Sequence, residues 1–114
     1  MNWIQLTEEN QLQDIFTSKR TSIVFKHSTR CHISAFVLKM LEQTWNEDPN
    51  VDCYFLDLLR YRNLSNMLAD VCKVYHESPQ VLLIMNGECV FDASHQDIQA
   101  DEIAEQIQLL SIPK

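Results

Sequence analysis

The apolar positions of this chain fall into short blocks whose spacing separates strands from helices. After a strand-like run at Trp3 to Leu6, Thr7 is expected to cap a helix with Glu8 and Glu9 in its first turn and an apolar stripe of Leu12, Ile15 and Phe16. Thr21 to Lys26 is a compact β-branched and aromatic run, the composition of a buried strand. From Ile33 the apolar residues follow a helical template, Ile33, Phe36, Val37, Met40, Leu41 and Trp45, which predicts one buried face. That periodicity stops before Asp48-Pro49-Asn50, a turn cluster.

Val51 to Leu58 is apolar on both faces, as expected for a strand covered by helices on each side. A third helix is predicted around Asn63 to Cys72, burying Leu64, Met67, Leu68 and Val71. Val81 to Asn86 reads as a strand, Asn86-Gly87 is the preferred type I′ dipeptide, and Glu88 to Asp92 returns antiparallel. A last helix, from about Asp101 to Leu110, carries Ile103, Ile107 and Leu110 on one side. The order is β-α-β-α-β-α-β-β-α, with crossovers long enough for parallel pairing first and a hairpin afterwards. We therefore expect residues 1–114 to form one α/β domain of thioredoxin-like layout, a central mixed five-stranded sheet flanked by four helices.

Composition narrows the chemistry. Gly87 is the only glycine, so neither a G-x-G-x-x-G turn nor a Walker A loop exists, and H-E-x-x-H and G-x-S-x-G are missing too. The longest apolar run, Val81 to Met85, is far short of the roughly 18 residues a membrane span needs. With no Lys or Arg before Lys19 and no apolar leader segment, a secretory signal is not expected, and the cytoplasm is the expected compartment. A net charge of −7 repels nucleic acid, and neither nucleic acid nor a membrane is expected as a partner.

The charge is unevenly spread. Residues 15 to 41 hold five of the nine bases (Lys19, Arg20, Lys26, Arg30, Lys39) and no acid. Cys31 stands in this window, between Arg30 and His32, just after a strand and at the start of the long helix, where unpaired N–H groups and the helix dipole favour an anion. Thr29 or Ser28 is a plausible cap. The nucleophile is the thiolate: an ordinary thiol with pKa near 8.5 is only about 3% ionised at pH 7, whereas one held near 6.5 is about three-quarters ionised. Helix N-termini and neighbouring cations produce such settings, and position 31 has both.

Ser34 stands three residues on, on the same side of the first turn, where its hydroxyl can donate to a thiolate but cannot close a disulfide. A mixed disulfide on Cys31 must then be resolved by a thiol from outside the motif, which is a monothiol cycle. None of the four cysteines forms a C-x-x-C; Cys53, Cys72 and Cys89 are expected to be small buried hydrophobes, with Cys72, near a helix end, an alternative resolving thiol. No metal site is expected, because Lys26 and Arg30 oppose cation binding at His27, Cys31 and His32. His76 and His95 fall in expected loops and read as solvated, and Pro79 precedes a strand.

Several of these segments together resemble the monothiol bacilliredoxins, bacillithiol system redox-active proteins of the thioredoxin-like superfamily. The likeness is carried by Lys26-His27-Ser28-Thr29 running into Cys31, by Ile33-Ser34, Leu64-Ser65-Asn66, His76-Glu77-Ser78-Pro79-Gln80 and Asn86-Gly87-Glu88. The resemblance implies that Cys31 takes bacillithiol, or a similar low-molecular-weight thiol, from S-thiolated client proteins and that a second small thiol releases it. It implies no resident cofactor, bacillithiol being a co-substrate. Thr29, Arg30, His32 and Ser34 would support the thiolate. Lys26, Ser78 and Pro79 would bind substrate, with Pro79 cis and the backbone at Ser78 free to pair with an extended chain. The family usually has proline after the cysteine, where this chain has His32, which leaves the first turn less rigid and adds a group that charges with pH. Two other readings compete: a non-catalytic binding module or iron-sulfur scaffold, and a redox sensor pairing Cys31 with Cys72.

Overall fold

The computed structural model describes residues 1–111. Its elements are β1 (Trp3–Gln5), α1 (Glu9–Thr17), β2 (Thr21–His27), α2 (His32–Thr44), β3 (Val51–Asp57), α3 (Arg62–Cys72), β4 (Gln80–Met85), β5 (Glu88–Ser94), a 3₁₀ turn at His95–Asp97, and α4 (Ala100–Leu110). The strands form one mixed sheet in the order β1-β3-β2-β4-β5, in which β1, β3 and β2 run parallel and β4 and β5 are antiparallel. This is the α/β layout expected from the element order.

Because β2 lies between β3 and β4, it is buried along almost its whole length, and its alternate residues serve two cores. Ile23 and Phe25 join Val37, Leu41 and Trp45 of α2 and Ile103 of α4 on one face; Val24 joins Leu12 and Ile15 of α1 and Leu64 and Leu68 of α3 on the other. Each such aliphatic side chain contributes about 2 kcal/mol by leaving water. The hairpin between β4 and β5 turns through Asn86 and Gly87, at φ 52° and 77°, as a type I′ turn requires. A bulge follows: Leu83 faces Phe91 and Ile84 faces Cys89, so Val90 is the extra residue.

Some local expectations give way. The cap of α1 is Glu8 rather than Thr7, because Gln11 reaches back and its side-chain oxygen accepts from the N–H groups of both Thr7 and Glu8 (2.8 and 3.0 Å). The helical template from Ile33 divides: Val37, Leu41 and Trp45 face the sheet, while Ile33, Phe36 and Met40 are exposed, Phe36 by 60%. The sheet covers only a narrow arc of α2. For the same reason Val71 of α3 and Leu110 of α4 lie on the surface.

Candidate active site

The chain leaves β2 at His27, turns through Ser28, Thr29 and Arg30, and enters α2 at His32 with Cys31 as the N-cap. The expected caps Ser28 and Thr29 do not cap; Thr29 and Arg30 are exposed and α2 has no side-chain cap hydrogen bond. Cys31 therefore occupies the position whose side chain ordinarily accepts from the first-turn N–H groups. It is half-buried. His32 and Arg30 flank it on the surface.

A hydrogen-bond relay fixes this loop. The Cys31 N–H donates to the Ser28 carbonyl (3.2 Å), and the Ser28 N–H donates to the Ser34 hydroxyl (3.1 Å). Ser34, fully buried in the first turn of α2, also lies 2.7 Å from His27 Nδ1. The recorded partners of Ser34 are thus Ser28 and His27, so it acts on Cys31 through the loop. His27 is itself buried, packed 5.3 Å from the Phe55 ring, and burial holds its imidazole below the ordinary histidine range, with Asp57 opposing. Its part in the site was not legible in the sequence, where it reads as one more histidine beside a strand end.

The second wall comes from β4. Lys26 pairs with Gln80, so the turn after β2 and the residues before β4 emerge side by side from the same end of the sheet. The Ser78–Pro79 bond is cis. Pro79 is buried and its carbonyl accepts from the His95 N–H (3.0 Å), whereas among the described residues the backbone of Ser78 has no backbone partner, and the Ser78 hydroxyl is buried without one.

Lys26 corrects the expectation of a substrate-facing cation. Alternation along β2 turns it to the face opposite Phe25 and His27, where it is wholly buried and its Nζ donates to the Ser65 carbonyl (3.1 Å) and lies 3.4 Å from His76 Nδ1. Burial lowers its pKa to about 8. His76 is an exposed loop residue as expected, but its ring is held on one side, where Nδ1 also meets the Ser65 hydroxyl at 3.1 Å. Arg20 is engaged as well, by Asp52 at 2.9 Å. The basic window thus reaches the surface beside Cys31 mainly through Arg30.

The other cysteines lie elsewhere. Cys53 is buried in β3 beneath α2, and burial pushes its thiol up to about 11. Cys72 ends α3 on the opposite face of the sheet, in the apolar cluster that Cys89 of β5 packs against. Cys89 faces Ile84, which faces Ser22, so this pair sits near the start of β2, about 16 Å of strand from His27 and across the sheet from α2. A Cys31–Cys72 bond would have to pass through the sheet, and the sensor built on it is excluded. Among the described residues no group of three or more His, Cys, Asp and Glu could hold a metal ion, and no helix is long and apolar enough to cross a membrane.

The model of one family, described as monothiol bacilliredoxin BrxC, matches residues 4–103. A solved structure described as a candidate oxidoreductase with a thioredoxin fold aligns with a TM-score of 0.80 at 32% identity, over 90% of this chain and 91% of that one. Thioredoxin from Trypanosoma brucei brucei aligns with a TM-score of 0.75 at 11% identity, over 96% and 90% of the two chains. Malassezia sympodialis thioredoxin gives 0.73 at 12% identity, over 95% and 90%. The last two share the fold alone. A thioredoxin fold with a half-exposed cysteine capping α2 supports thiol–disulfide exchange.

Proposed function

The chain belongs to the monothiol bacilliredoxin family, and from that membership and the geometry at Cys31 we propose that it removes a low-molecular-weight thiol of the bacillithiol type from protein mixed disulfides. The Cys31 thiolate attacks the small-thiol sulfur of the mixed disulfide. The client leaves as a thiolate, and Cys31 keeps the small thiol as its own mixed disulfide. A second molecule of that thiol, deprotonated, attacks the adduct; it departs as a symmetric small disulfide and Cys31 returns as thiolate. Over the cycle, one small thiol is consumed, the client thiol is set free, and the disulfide bond passes from the client to the small molecule.

The observation that carries this reading is the isolation of Cys31: Ser34 stands where a resolving cysteine would, Cys53 and Cys72 are buried, and Cys89, half-buried rather than buried as expected, lies across the sheet from α2. The open amides of the first turn of α2 and the exposed Arg30 favour the attacking anion. Thr29 and His32 flank the sulfur at the surface and Ser34 positions its loop. The free backbone at Ser78, beside the cis Pro79, offers an edge along which an extended client can lie, and Ile33 and Phe36 in the first turns of α2 after Cys31 are exposed apolar side chains.

The test is transfer from a purified client carrying bacillithiol, followed by intact mass in parallel with a glutathionylated client. We expect wild type to acquire one adduct at Cys31, released by the matching thiol, faster with bacillithiol. Unchanged release with Cys31→Ser refutes the mechanism, and equal or faster turnover of the glutathione client refutes the choice of thiol.

A further inference from the structure

Lys26 is wholly buried, and among the described residues no carboxylate pairs with it. A buried ammonium without a counter-charge is costly, and the exchange chemistry at Cys31 gives it no task. Its contacts lead instead to the segment between α3 and β4, which carries Ser78. We propose that Lys26 and His76 are positioning residues for the client: together they tether this segment to α3, so that the free backbone of Ser78 meets an extended client in a fixed place. The proposal rests on the reading of Ser78 as the client-facing edge.

The backbone of this segment does not hold itself. Among the described residues Tyr75, His76, Glu77 and Ser78 make no backbone–backbone hydrogen bond; the nearest such ties are Val74 N–H to the Ala69 carbonyl (3.2 Å) and His95 N–H to the Pro79 carbonyl (3.0 Å). What lies between is fixed by side chains. Gln80 Nε2 donates to the Tyr75 carbonyl (3.0 Å). One residue on, His76 Nδ1 lies 3.4 Å from Lys26 Nζ and 3.1 Å from the Ser65 hydroxyl, while Nζ also donates to the Ser65 carbonyl (3.1 Å). An ammonium has no lone pair, so Nδ1 is the acceptor and the neutral ring carries its proton on Nε2. Lys26 thus joins the first turn of α3 to the segment before Ser78, and it stands opposite Gln80 in the ladder, so both ties spring from one place in the sheet. The exposed Glu77–His95 pair, at 3.8 Å, adds little.

Such a tether discriminates between substrates. A small disulfide needs only the Cys31 sulfur, whereas a protein client also needs a partner for its backbone. With His76 released, the residues before Ser78 sample many positions, and a client must order them as it binds. The loss falls on client binding, because Cys31 is held by the separate relay through Ser28 and Ser34.

The experiment compares full-length wild type, Lys26→Met, His76→Ala and His76→Asn on two substrates, an extended peptide carrying bacillithiol on its one cysteine and bacillithiol disulfide, with NMR backbone order parameters from the same proteins. We expect Lys26→Met and His76→Ala to raise the KM for the peptide about tenfold with kcat little changed, the effect of losing one or two well-placed backbone hydrogen bonds. Adduct formation on Cys31 from bacillithiol disulfide should keep its wild-type rate. The order parameters of Glu77 and Ser78 should fall from about 0.85 to below about 0.6, with those of β2 unchanged. His76→Asn, whose side-chain oxygen accepts from Nζ in place of Nδ1, should lie near wild type, and Lys26→Met combined with His76→Ala should cost no more than either alone. His76 is exposed, so its variants test the tether even if Lys26→Met fails to fold. A peptide KM unchanged in both variants, an equal loss with bacillithiol disulfide, or a Ser78 as ordered as in wild type would overturn the proposal. The order parameters need no turnover: a wild type that does not dethiolate the peptide refutes the proposed function, and the tether then stands or falls on the order of Ser78.

Discussion

Replacing Ser34 by alanine probes how the loop before α2 is held. The hydroxyl is fully buried and has two recorded partners, the Ser28 N–H at 3.1 Å and His27 Nδ1 at 2.7 Å. Whichever His27 tautomer is present, the substitution strands a buried imidazole nitrogen and a half-buried backbone N–H. A buried polar group left unpaired costs about 1–3 kcal/mol. Because Ser28 can turn toward water, we expect the lower part of that range for its N–H and a total near 2 kcal/mol. For a chain of 114 residues this corresponds to a fall in Tm of roughly 8 °C. Urea unfolding at pH 7.5 measures the free energy, and alkylation of Cys31 in the same samples, below the transition, reads the loop. We expect a lower midpoint with unchanged m-value and a slower reaction at Cys31, since the Ser28 carbonyl that receives the Cys31 N–H is no longer anchored. A midpoint within about 0.5 kcal/mol of wild type would show that the relay is not holding the loop.

Buried Lys26 makes stability depend on alkaline pH. Its folded pKa of about 8 lies below the unfolded value of 10.5, so the unfolded chain binds the extra proton between those limits and wild type gains stability as pH rises through them. Lys26→Met removes this gain, and urea midpoints from pH 7 to 10.5 should show wild type improving relative to the variant by about 3 kcal/mol; a constant difference would refute the burial of the charge. Gly87→Ala places a Cβ about 2.5 Å from the Phe16 carbonyl oxygen in a residue at φ +77°. Thermal unfolding should show a loss of about 1–3 kcal/mol, and an unchanged Tm would contradict the tight hairpin packing.

Element order, the Asn86-Gly87 hairpin and the place of Cys31 at the head of α2 were legible because each depends on local chemistry: periodicity, a dipeptide with positive φ, a turn before a helix. What the sequence hid depends on neighbours distant along the chain. Lys26 reads as one of the bases gathered before Cys31 and, by resemblance, as a substrate contact, and only the alternation of β2 beneath α3 buries it against Ser65 and His76. Ser34 reads as a partner for the cysteine three residues before it, but β2 brings His27 and Ser28 to its hydroxyl first. Cys72 and Cys89 are 17 positions apart in elements of different type, and no spacing rule brings them to the same apolar cluster. Ile33, Phe36 and Met40 fit the helical template yet face outward, since periodicity identifies an apolar arc and not how much of it the sheet covers.

The most direct test of the central claim is the rate at which each cysteine of the reduced, folded protein is alkylated by limiting iodoacetamide at pH 7, resolved by peptide mass. The account predicts that Cys31 is modified first, at least about tenfold faster than the same residue in the urea-unfolded chain, while buried Cys53 stays unmodified. Equal rates at Cys31 in the folded and unfolded protein, or modification of Cys53 ahead of it, would contradict the account.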